Sequence, residues 1–470
     1  MRGVPGDLTA STRPPTTIPL RHFLVGLAFL LAGGTLGLLR VAGLAGAGPA
    51  LGGVAVAHLL LVGWVCLTIL GAMTQFVPVW SGVQLHSERL ATLQLTCVAV
   101  GVTGFAGGLW FGRPADAALF AAVMVAGIGV FAYNLGRTLW LARPLDRTEA
   151  HFALGVAFLA AAVGLGGALA ADYRWGVLAA VGVTRPAVVD AHVTLAVLGG
   201  VMTTVIGALY QLGPMFTQTD ALPVEDRLAR IETAAFPVGV AALAAGRLGE
   251  TPLLAAVGGL FAAGGAAIAG GILLRRLRDA TATATPMQSR YAVVALAALA
   301  WSLTAAATWV GEPLGPAVRF GHPGVGAGLL GAFIGFVVVG SLYHIVPFIV
   351  WLDRYADRVG LERVPAIDDL YDARAARVDL AATVLGASAW LAASAAPYIS
   401  VHGLIPPVDD RTIALVRLGG GAVTVVGIGL VAGTLTATVA RHGGRELLGG
   451  TASTSTETSA GTGASDASER

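Results

Sequence analysis

The chain has 470 residues, of which 56% are hydrophobic and 12% charged, with a formal net charge of +2 and a mean hydropathy of +0.77. This balance excludes a soluble globular domain and predicts an all-α, polytopic membrane protein. So small a net charge gives no basis for a nucleic-acid partner. The only cysteines, Cys66 and Cys97, each lie inside an apolar segment, so neither a disulfide framework nor a thiolate zinc site is implied.

Residues 1–19 are polar and proline-containing, without the apolar core and cleavage site of a secretory signal, and read as a tail. Hydropathy then predicts twelve transmembrane helices, near 20–39, 54–80, 90–111, 117–141, 151–171, 189–216, 231–248, 252–274, 291–310, 323–351, 378–399 and 412–440. They make up a transmembrane domain over 20–446. Residues 447–470 are Ser/Thr/Gly-rich and read as a disordered tail.

The spans group into three pseudo-repeats of four, about 20–145, 150–280 and 290–446. First helices open at Arg21-His22-Phe23, His151-Phe152 and Arg290-Tyr291. Second helices are headed by His58, His192 and His322. They close on a face Gly-x-x-x-(Gln/His)-x-x-Pro: Gly71, Gln75 and Pro78; Gly207, Gln211 and Pro214; Gly340, His344 and Pro347. Third helices are introduced by SERLATLQ (87–94), EDRLARIE (225–232) and DARAARVD (372–379).

Every basic residue is arginine. With loops assigned alternately, only Arg40, Arg113, Arg174, Arg185, Arg247, Arg319, Arg411 and Arg417 fall opposite the N-terminal side. Arginine bias therefore predicts a multi-pass protein of the cell membrane with both termini cytoplasmic. His58, His192 and His322 then lie at outer ends, and Gln75, Gln211 and His344 toward the inner side. His322 and His344 are about 33 Å apart along one helix and cannot share a ligand atom.

Imidazole binds haem iron and copper while staying neutral in an apolar setting, and polar groups inside a bilayer point to function. His58, His192 and His322 are the collective candidates for ligation. His344 is a metal-ligand candidate too, although with Gln75, Gln211, Tyr210 and Tyr343 it also fits a polar inner face that satisfies carbonyls freed by the prolines. His22 and His151 are expected at the interface. No carboxylate falls in the middle of a predicted span, so no proton-carrying acid is evident. There is no Walker A loop, no HExxH and no covalent-haem motif.

Twelve spans in three sets of four, with histidines heading helices two, six and ten, resemble subunit I of the haem–copper oxidases. The likeness extends to the cbb3-type, nitric-oxide-reductase-like and twelve-span NnrS haem proteins and covers residues 20–440. It implies that His58 and His322 are the axial pair of a b-type haem and that His192 is a copper ligand. It also implies an oxidoreductase subunit working in electron transport, with a respiratory-chain or cupredoxin partner. The chain departs from the pattern. His322 is followed by Pro323 and Gly324 rather than a second histidine, Ala196 and Val197 stand where many oxidases have tyrosine, and span 231–248 lacks a histidine pair. The resemblance thus implies haem for electron transfer or for handling nitric oxide or oxygen, without a complete oxygen-reducing centre. The alternative is a transporter or structural subunit with a polar path lined by Gln75, Gln211 and His344.

Overall fold

The computed structural model describes residues 14–44, 51–280 and 285–443. The expected tail at 447–470 and the first thirteen residues of the N-terminal tail lie outside them. Among the described residues twelve helices are long and apolar enough to cross a membrane: α1 (Thr17–Val41), α2 (Gly52–Ser81), α3 (Glu88–Trp110), α4 (Pro114–Leu141), α5 (Arg147–Trp175), α6 (Arg185–Thr217), α7 (Pro223–Leu248), α8 (Pro252–Asp279), α9 (Pro286–Gly311), α10 (Gly326–Arg354), α11 (Ala373–Val401) and α12 (Asp410–His442). Among the described residues there is no strand beyond an isolated bridge between Val359 and Glu362. The protein is therefore an all-helical, multi-pass membrane protein in contact with lipid.

The helices begin where the local chemistry sets them. Proline occupies the first turn of α4, α7, α8 and α9, where its missing N–H costs nothing. Ser87, Asp146, Thr184, Thr285, Asp372 and Asp409 cap α3, α5, α6, α9, α11 and α12 through their side chains. These caps sit outside the apolar runs, so most helices overrun the predicted spans. α10 is the exception. Pro323 and Gly324 keep the chain non-helical until Gly326, which leaves His322 in the preceding turn rather than in the helix.

Three-residue loops join α3 to α4 and α7 to α8, and the third and fourth helices of each set form the closest hairpins: α3 with α4, α7 with α8 and α11 with α12. α6 and α10 are the most deeply buried, at 67% and 78% of their apolar windows, against 22% for α1 and α11. The Gly-x-x-x-(Gln/His)-x-x-Pro face is explained by crossing helices. A Cβ on Gly71 would stand 2.5 Å from His22 Cβ, and one on Gly207 would stand 2.4 Å from His151 Cβ. Glycine lets the first and second helices of a set touch there.

Two of the helices are interrupted. Residues Leu59–Cys66 of α2 and Thr194–Met202 of α6 are π-helical. One begins directly after His58 and the other two residues after His192. Such bulges concentrate at functional sites.

Candidate functional site

The site is assembled at the end of the bundle opposite the N-terminus, from α2 and α6. The rings of His58 and His192 lie 6.4 Å apart between centroids and within 11° of parallel. His58 Nδ1 is 2.8 Å from the Val54 carbonyl oxygen one turn back. His192 Nδ1 is 2.8 Å from the Ala162 carbonyl oxygen of α5. A carbonyl only accepts, so each Nδ1 carries the proton and each Nε2 keeps a free lone pair. A carbonyl fixing the far nitrogen is how proteins orient metal-binding imidazoles.

The walls are apolar and close. Phe105 of α3 meets the His58 ring edge-on at 4.7 Å, and a Cβ on Gly166 of α5 would stand 2.9 Å from His192 Cε1. The start of the α6 π-segment is pinned from the other side. Arg247, 2% exposed, donates to Thr194 Oγ1 at 2.8 Å, to the Arg319 carbonyl at 3.1 Å and to the Pro313 carbonyl at 3.3 Å. Asp190, two residues before His192, accepts from Arg319 at 2.6 Å.

His322 does not join this pair. Its ring packs against Tyr398 of α11 at 5.2 Å, and its Nδ1 accepts from the Gly324 N–H at 3.1 Å. The resemblance called for a haem between helices two and ten, and the residues there do not fit one. A cleft of about 490 Å³ does open between α1, α2, α10, α11 and α12. Its α2 wall is Val56, Leu60 and Trp64, and its α10 wall is Gly328, Gly331, Ala332, Gly335, Phe336 and Val339. Among the described residues no imidazole, thiol, thioether or carboxylate lines it. The structure brings the His58 ring beside His192 and places the His322 ring against Tyr398.

The inner face is also rearranged relative to expectation. His344 sits between Phe216 at 4.5 Å and Phe348 at 5.9 Å, an aromatic setting rather than a ligand cluster. Gln75 is buried with its Oε1 unpartnered, whereas Gln211 is exposed, so the two do not line one interior path. Among the described residues no group of three or more His, Cys, Asp or Glu side chains is placed to hold an ion.

What the sequence reading missed is a polar contact that recurs in each set between the first and third helices. In the first set, Gln94 of α3 faces His22 Nε2 of α1 at 3.4 Å. In the second, Glu232 of α7 faces His151 Nε2 of α5 at 3.2 Å and accepts from Tyr210 at 2.7 Å. In the third, Asp379 of α11 pairs with Arg290 of α9 and accepts from Tyr343. All six first- and third-helix residues are fully buried, so His22 and His151 are core residues rather than interfacial ones. His151 Nδ1 already donates to the Arg147 carbonyl at 2.8 Å. One proton must then lie between its Nε2 and the Glu232 carboxylate. The signal was present: Gln94, Glu232 and Asp379 are the last residues of the three matched octets.

No protein-family model matches the chain, and no curated protein is significantly similar to it.

Proposed function

We propose that the chain is a membrane metalloprotein that holds one transition-metal ion, copper or iron, between His58 and His192 and exposes it to a small exogenous ligand. The observation that carries this is the pair itself: two imidazoles from different helices, each with Nδ1 tied to a carbonyl and Nε2 free. The two Nε2 lone pairs would hold the ion, on rings whose centroids stand 6.4 Å apart. Imidazole suits copper and iron. Two protein ligands leave the ion open, as in catalytic rather than structural sites. This favours gas-ligand handling, with nitric oxide or oxygen as the ligand class, over a coordinatively full electron carrier.

The three recurring inner contacts support a three-set organisation like that of the haem–copper oxidase subunits. Arginine bias supports cytoplasmic termini, which would put the histidine pair near the outer surface, where a cupredoxin or respiratory donor could reach it. The test is an absorption spectrum of the detergent-purified protein, oxidised and dithionite-reduced, with iron and copper quantified in wild type, His58→Ala, His192→Ala and His322→Ala. About one ion per chain, lost in the first two variants and kept in the third, is expected. A stoichiometric haem lost in His322→Ala would contradict the proposal.

A further inference from the structure

The cleft that fails as a haem site has features of a different one. Of three glycines on its walls, one faces open space and two meet only a single side-chain atom of α2. A Cβ on Gly331 of α10 meets nothing within 4 Å, one on Gly335 meets only Trp64 at 3.6 Å, and one on Gly37 of α1 meets only Val56 at 3.5 Å. In membrane helices such small-residue faces normally bring helices together. Here they front a volume of about 490 Å³.

Two residues lining that volume each carry a buried polar atom with no partner among the described residues, Trp64 Nε1 and Arg417 Nε. Trp64 is 8% exposed, and Arg417 forms no ion pair among the described residues. Both groups only donate. The occupant must therefore bring acceptors, a negative charge and an apolar body. Depth orders these features. Arg417 lies seven residues into α12, about 11 Å from its start, and Trp64 lies twelve residues into α2, about 18 Å from its start at the same end. The cation is thus nearer the membrane surface, and the indole N–H is about 7 Å deeper.

We infer that this cleft binds an anionic glycerophospholipid. The phosphate rests on Arg417, a fatty-ester carbonyl accepts from Trp64 Nε1, and one acyl chain runs along the glycine faces of α1 and α10. The site is independent of the histidine pair.

Native mass spectrometry of the delipidated protein, titrated with phosphatidylglycerol or with phosphatidylcholine of identical chains, tests it. Wild type should retain phosphatidylglycerol about tenfold better than phosphatidylcholine, whose choline cation offsets the phosphate charge offered to Arg417. Arg417→Gln should abolish the preference, and Gly331→Leu, whose side chain enters open space, should weaken retention of both lipids. Equal retention by wild type, a preference that survives Arg417→Gln, or unchanged retention in Gly331→Leu would each overturn the assignment.

Discussion

Asp379→Asn and Glu232→Gln each turn a buried carboxyl group into an amide at corresponding places, and they are expected to differ in cost. Arg290 cannot be deprotonated in a protein. Its remaining contacts are the Pro286 carbonyl at 2.8 Å, the Ala376 carbonyl at 2.9 Å and the face of Tyr343 at 4.3 Å, none of them a counter-charge. Asp379→Asn therefore strands a buried guanidinium, at about 3–5 kcal/mol. His151 has an exit that Arg290 lacks. With glutamine at 232 it can give up its Nε2 proton and accept from the amide, the arrangement that His22 and Gln94 already adopt. What is lost is then mainly hydrogen-bond strength, about 1 kcal/mol. Replacing both members of the charged pair, as Arg290→Met with Asp379→Leu, should recover much of the single-variant loss, because it removes the desolvated charges together. Unfolding in a defined detergent, followed by tryptophan fluorescence, gives the comparison. Equal losses for Asp379→Asn and Glu232→Gln would refute the reasoning.

Other outcomes follow from the same structure. Gly207→Ala puts a methyl 2.4 Å from His151 Cβ and should destabilise by about 1–3 kcal/mol. Gly331→Ala, which meets nothing, should be neutral or stabilise by up to about 1 kcal/mol; the same unfolding assay separates the two. Arg247→Met leaves the Pro313 and Arg319 carbonyls without their donor, at about 1–3 kcal/mol each, and should loosen the start of the α6 π-segment, read as faster amide hydrogen exchange over 194–202. A reporter enzyme active only in the cytoplasm, fused after residue 470, should be active; an inactive, well-expressed fusion would reverse the orientation.

The fold was largely legible because its signal is continuous apolar length, which a bilayer demands and a sequence displays directly. Each of the twelve helices contains most of its predicted span. The ends were less legible, since Ser87, Asp146 and Asp372 cap their helices from outside the apolar stretch. His322 was misplaced although Pro323 and Gly324 announce a break, because the recurring histidine outweighed the local chemistry. Glu232 and Asp379 escaped notice because they stand at the edges of predicted spans and close onto partners 81 and 89 residues away, distances that periodicity does not encode. The pairing of His58 with His192 depends on how α2 and α6 meet, which spacing along one helix cannot supply.

X-ray absorption at the copper and iron edges of the purified protein, after incubation with each metal, would test the proposed site most directly. The proposal predicts two imidazole nitrogens at about 2.0–2.1 Å, lost in His192→Ala and unchanged in His322→Ala. A porphyrin signature, or a ligand set indifferent to His192, would contradict it.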